Sequence, residues 1–165
     1  MGVQNLSILT GSHNYLEDFN VGDKISHRRG RTVDASENTY FTLTTLNTAS
    51  PHFNKHEMET YMGGRFPERL VNGGFTICVV VGLTTQDIAE NAIDDLSYTN
   101  IRMLTSVHPG DTLYANSEIL ETRDLEDRTD AGLLRYRFEG TNQRDEPVVR
   151  GERTILLKKR AFDSF

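Results

Sequence analysis

Two stretches of this 165-residue chain carry side chains whose types and spacing could do chemistry. One is Thr45-Leu-Asn-Thr-Ala-Ser-Pro-His-Phe-Asn54, which sets His52 on an irregular, proline-containing segment. The other is Val71-Asn-Gly-Gly-Phe75, which opens a long apolar run. A histidine gives and takes a proton near neutrality, so one aimed into a cleft from an irregular segment suits acid/base work. Two glycines at a helix start leave backbone N–H groups free to hold an oxyanion. Taken singly, a loop histidine is more often a solvated surface residue, and a glycine pair is a weak signal. In combination they are the equipment of thioester chemistry, with His52, Gly73 and Gly74 as candidate catalytic residues.

The elements that must position them follow from pattern. A strand is expected over 24–33, and Asp34-Ala-Ser-Glu37 has the spacing of a capping box, starting a helix that runs to about Leu46. Pro51 and its Asn, Thr and Ser neighbours break regular structure over 47–54, with a short helix near 55–62. From Gly73 to Glu90 the residues Phe75, Ile77, Cys78, Val79, Val80, Val81, Leu83 and Ile88 leave almost no polar face, predicting a helix buried nearly all round with Cys78 in the core. Four strands follow, near 96–107, 112–125, 131–141 and 148–159, separated by turn-forming His108-Pro-Gly-Asp111, Asp127-Arg-Thr-Asp130 and Asn142-Gln-Arg-Asp145. Asp111 reads as a turn or strand-start residue. One buried helix plus an antiparallel meander is an α+β hot-dog fold, a sheet wrapped around a long central helix. Residues 1–15 read as an N-terminal arm and 16–165 as the single domain. Such a half-wrapped sheet leaves an edge strand, which a homodimer or higher oligomer would cover.

Composition narrows the function classes. A net charge of -6 and a pI near 5.3 argue against a nucleic-acid partner, which needs a concentrated basic face. The small basic clusters at Arg65-Phe-Pro-Glu-Arg69 and Leu157-Lys-Lys-Arg160 suffice at most for one anionic ligand. A single cysteine permits neither an intrachain disulfide nor a cysteine zinc site. His52 and His56 lack a third ligand with convincing spacing, so no metal is expected. Without a secretory pattern or a membrane-length apolar run, a cytoplasmic setting fits.

With these elements in place, the chain resembles the MaoC-like hydratases over roughly Tyr15 to Arg160. That family's Asp-x4-His motif falls on Asn47 and His52, with Phe53-Asn54 continuing it. Val71-Asn-Gly-Gly-Phe-Thr stands at its helix start, and Arg102 and His108-Pro-Gly-Asp-Thr-Leu113 resemble its later signature. Asn47 replaces the acidic residue and Asn72 the histidine. Leu70-Val-Asn-Gly-Gly-Phe-Thr, Val81-Gly-Leu-Thr, Arg123, Asp130-Ala-Gly132 and Asn142-Gln143 are similar to a narrower group, the mesaconyl-CoA hydratases or β-methylmalyl-CoA dehydratases.

The resemblance implies a lyase that adds or removes water across an enoyl-CoA double bond, with no cofactor beyond the CoA of the substrate. His52 is then the proton carrier and a Gly73 or Gly74 N–H the donor to the thioester oxygen. Asn47 is an amide, which orients water but is no general base. Where an aspartate would repel a substrate carboxylate, Asn47 does not. Lys55, Arg65 or Arg69 would hold that carboxylate, with Asn72 and Arg102 as further substrate-binding positions. Two other functions compete: a hot-dog thioesterase, which ordinarily wants a carboxylate where Asn47 stands, and a non-catalytic acyl-CoA-binding domain.

Overall fold

The apolar run after Asn72 is the central helix. In the computed structural model, which describes residues 14–66 and 68–163, helix α1 spans Ala35–Thr44 and helix α2 spans Gly73–Thr84. Helix α2 continues through a π-helical turn at Thr85–Ala89. Six strands form one antiparallel sheet: β1 Lys24–Ser26, β2 Arg31–Thr32, β3 Ala92–Met103, β4 Thr112–Leu125, β5 Arg128–Thr141 and β6 Pro147–Lys158. Their order is β1-β4-β5-β6-β3, with β2 also on β4.

Alternation in the strands explains why the sheet wraps the helix. Leu113, Ala115, Ser117 and Ile119 of β4 are buried, as are Leu134, Tyr136, Phe138 and Gly140 of β5. Val80 and Ile88 on the helical segment are wholly buried within the same apolar cluster. Gly140 permits that close approach, because a Cβ there would run into the Val80 side chain. Three polar groups join this core without being left unpaired. Thr84 Oγ1 lies 2.8 Å from the Tyr136 hydroxyl, which accepts from Arg153 Nη1 at 3.1 Å. Arg153 also forms a two-pronged pair with Asp95 at 2.6 and 2.8 Å, tying α2 through the sheet to β3.

The expected element order is present, with four local corrections. The first strand is two short ones, β1 and β2, with 27–30 between them outside regular pairing. The strand expected over 96–107 is β3, which starts and ends earlier. The helix expected near 55–62 is a pair of 3₁₀ turns, His56–Glu59 and Tyr61–Gly63. Helix α2 is enclosed on one side only: Gly74, Cys78 and Gly82 recur at helical spacing on an exposed stripe, so Cys78 is not a core residue. The apolar character of that stripe comes with small side chains, which hydrophobic periodicity does not distinguish from core. Of the arm expected over 1–15, residues 1–13 lie outside the described residues. Asn14 and Tyr15 are buried parts of the folded body, Asn14 Nδ2 donating to Gln86 O at 2.9 Å.

Candidate active site

The candidate site is assembled where three segments meet: the loop after α1, the strand-like stretch before α2, and the loop after β3. Helix α1 begins with its expected capping box, the Asp34 N–H donating to Glu37 Oε2 at 3.1 Å. It ends at Thr44, and at Leu46 a φ of 57° turns the chain through the left-handed region. A leucine held there is disfavoured by about 1–2 kcal/mol, and its side chain is exposed. The chain then enters the 3₁₀ turn Ser50–His52.

Backbone hydrogen bonds strap residues 69–72 between its neighbours. Leu70 N–H donates to Pro51 O at 2.8 Å, and Val71 N–H to Val107 O at 2.8 Å. His108 Nδ1 lies 3.0 Å from Arg69 O. His52 Nδ1 lies 3.0 Å from Leu70 O. A carbonyl only accepts, so Nδ1 carries the proton and the neutral ring keeps its lone pair on Nε2. The imidazole is thereby set as a base.

The helix start answers a question left open by the glycine pair. Asn72 is the N-cap of α2, and its Oδ1 accepts from Gly74 N–H at 2.9 Å. The Gly74 N–H is therefore occupied, and Gly73 is the glycine of the pair that lines the cleft. His52, Gly73, Thr76, Met103 and Thr105 line that cleft with Leu70, Val71, Leu104, Ser106 and Val107, and its volume is about 220 Å³. Nδ2 of Asn72 is buried with no hydrogen-bond partner among the described residues.

The other expected site residues are dispersed. Asn47 is exposed, makes no side-chain hydrogen bond among the described residues, and is not among those lining the cleft. Lys55 is paired with Glu68 at 2.5 Å, and Arg65 is exposed with its guanidinium 5.5 Å from the Phe66 ring. Arg69 is half-buried, with Nη1 making only long contacts to Thr39 Oγ1 (3.4 Å) and Phe53 O (3.5 Å), while its Nε has no partner. Arg102 lies apart from the His52 cleft, in a separate surface hollow with Arg137 and Arg150. Asp111 is the turn residue expected: its carboxylate accepts from His108 N–H at 2.9 Å and from Gln143 Nε2 at 2.7 Å.

One residue escaped the reading of the sequence. Asn38 on α1 is wholly buried, and its Nδ2 donates to His52 O at 2.7 Å and Leu70 O at 3.3 Å. Its Oδ1 accepts from Asn72 N–H at 2.8 Å. An asparagine inside a helix usually faces water, and nothing local marks this one as different.

Comparison with known proteins gives the family and the fold. A family model described as mesaconyl-CoA hydratase matches residues 9–159. A beta-methylmalyl-CoA dehydratase of Chloroflexus aurantiacus is 38% identical over 142 residues, covering 85% of this chain and 39% of that protein. A mesaconyl-CoA hydratase of Cereibacter sphaeroides is 28% identical over 151 residues, covering 92% of this chain and 43% of that protein. A crystal structure from Chloroflexus aurantiacus, described as a MaoC domain protein dehydratase, superposes with a TM-score of 0.83 at 32% identity, covering 91% of this chain and 46% of that one. A Mycobacterium tuberculosis protein described as having a double hotdog fold superposes with a TM-score of 0.80 at 19% identity, over 92% of this chain and 46% of that one. The chain thus spans less than half the length of these relatives. Given the match over residues 9–159 and the 38% identity over 85% of the chain, on a hot-dog sheet and helix, the chain belongs to the mesaconyl-CoA hydratase family.

Proposed function

We propose that the chain is a hydro-lyase domain acting on an enoyl-CoA thioester, with a branched dicarboxylyl-CoA such as mesaconyl-CoA as substrate. The observation that carries this reading is His52, with Nε2 left as the lone-pair nitrogen, lining the same small cleft as Gly73. In the hydration direction, Nε2 takes a proton from water as the hydroxyl oxygen bonds to the β-carbon. The electron pair of the double bond moves onto the thioester, and the Gly73 N–H holds the resulting enolate oxygen. Such a donor is commonly worth about 3 kcal/mol in the barrier. Nε2–H then returns the proton to the α-carbon, which restores the base and balances one water added. No step needs a cofactor beyond the CoA of the substrate.

Asn47, five positions before His52 but exposed and outside the lining of this cleft, is assigned to orienting the water once substrate covers that segment, an amide role that adds no charge near the substrate carboxylate. Of the three cations considered for that carboxylate, Arg69 suits best, since Lys55 is already paired and Arg65 is exposed. The active assembly pairs two hot-dog units, here two copies of this chain. Ligand sites ordinarily enclose about 300–1,000 Å³, and the cleft on this chain is smaller.

The test is to incubate the purified chain with mesaconyl-CoA and crotonyl-CoA, following loss of enoyl absorbance and release of free thiol. Loss of absorbance without thiol is expected, and His52→Ala should slow it by about 10²-fold or more. Thiol release would identify a thioesterase, and no change in either signal would leave a binding domain.

A further inference from the structure

We propose that Asn38 is a positioning residue for the proton transfer, acting through His52 and the start of α2; the proposal rests on the hydro-lyase reading above. Its amide bonds to two of the three segments that form the site, the loop that carries His52 and the stretch that leads into α2. Nδ2 holds the His52 carbonyl at 2.7 Å and the Leu70 carbonyl at 3.3 Å. The latter carbonyl is the one that His52 Nδ1 addresses at 3.0 Å. Oδ1 holds the Asn72 N–H at 2.8 Å, directly before Gly73, whose N–H the hydro-lyase reading assigns to the enolate oxygen.

The consequence is a shared reference for base and oxyanion donor. His52 and Gly73 belong to segments joined directly by the Leu70 N–H to Pro51 O bond, with only short 3₁₀ turns in the chain between them. Asn38 braces both from a helix. It also sets the tautomer. A neutral imidazole free in water favours the form protonated on Nε2, in which that nitrogen cannot act as base; the Leu70 carbonyl selects the opposite form. Anchoring both the His52 backbone and the Leu70 carbonyl keeps that selection in force.

Two variants separate this role from plain stabilisation. Asn38→Ala removes both arms. Asn38→Asp preserves shape and the acceptor for Asn72 N–H, but turns a carboxylate oxygen toward two carbonyl oxygens. Both are compared with the unmodified chain by turnover of mesaconyl-CoA and by ¹⁵N NMR of the His52 ring, assigned from the His52→Gln spectrum. The expected result is a fall in kcat of about 10²-fold with KM within about threefold, and a shift of the neutral His52 ring toward the Nε2–H tautomer in both variants. Folded variants that lose thermal stability but keep kcat and the Nδ1–H tautomer would overturn the proposal, because Asn38 would then only stabilise. If the unmodified chain hydrates no enoyl-CoA, the hydro-lyase reading fails on its own. The tautomer then decides the positioning role: a changed ring supports it, and an unchanged ring refutes it.

Discussion

Asn47 and His52 sit on one irregular segment, yet the structure separates their circumstances. His52 is half-buried and tied by its Nδ1 to Leu70, while Asn47 is exposed without a side-chain hydrogen bond among the described residues. If Asn47 serves to keep negative charge away from a dicarboxylyl substrate, Asn47→Asp should act selectively. Two like charges about 4 Å apart repel by about 1 kcal/mol in water, so the ratio of kcat/KM for mesaconyl-CoA over crotonyl-CoA should fall about fivefold or more. Measured specificity constants whose ratio stays fixed would remove that role. The legible and illegible residues differ in kind here. His52 and the glycine pair show in the sequence because their chemistry is tied to residue type and to a break in pattern. Asn38 does not show, because its value lies in carbonyls at residues 52 and 70 that only the folded chain brings to it.

At the scale of elements, α2 and its π-helical end carry two testable contacts. Gly140→Ala places a methyl against Val80 and should cost about 1–3 kcal/mol of unfolding free energy, part of which Val80→Ala in the same chain should restore. Urea titration of the single and double variants measures both. The second contact joins β1's exit to the π turn: His27 Nδ1 lies 2.6 Å from Asp87 Oδ2, and His27 Nε2 lies 2.9 Å from Ser117 Oγ. Burial lowers the His27 pKa below its ordinary 6.5, outweighing the opposing hydrogen bond and attraction from Asp87. The unfolded chain therefore takes up this proton at higher pH than the folded one. Stability from a neutral His27 is fully present above about pH 6.5 and is lost as the pH falls through its lowered folded value. Urea midpoints measured from pH 7.5 down to 5 should decline, and His27→Gln should flatten the decline; equal slopes would show that His27 is not its source.

For the molecule as a whole, the open surfaces gather on the elements that end the sheet and frame the cleft. Strand β3 pairs only with β6, and Ile93, Leu96, Tyr98 and Met103 along it are exposed. Tyr40, Leu43 and Leu46 on and after α1 are exposed as well. An apolar edge with no strand on its outer side among the described residues is suited to a second hot-dog unit. The isolated chain should sediment at about twice its 18.7 kDa mass at micromolar concentration, and Leu96→Arg with Ile93→Arg should return it to a monomer. A monomer throughout would rule out edge pairing between copies.

The sequence by itself determined the kinds and order of the elements, the capping box at Asp34, the turn at Asp111 and two of the three segments that form the cleft. These depend on short-range periodicity and on backbone preferences that a few neighbouring residues express. Tertiary structure alone decided that Gly73 rather than Gly74 lies at the cleft with its N–H unclaimed by Asn72, that Cys78 faces outward, and that Asn38 binds the site together. Each of those outcomes turns on a partner distant in sequence or on which face of one helix meets the sheet. Burial and hydrogen-bond pairing are properties of the packed chain, and a residue's own type does not contain them.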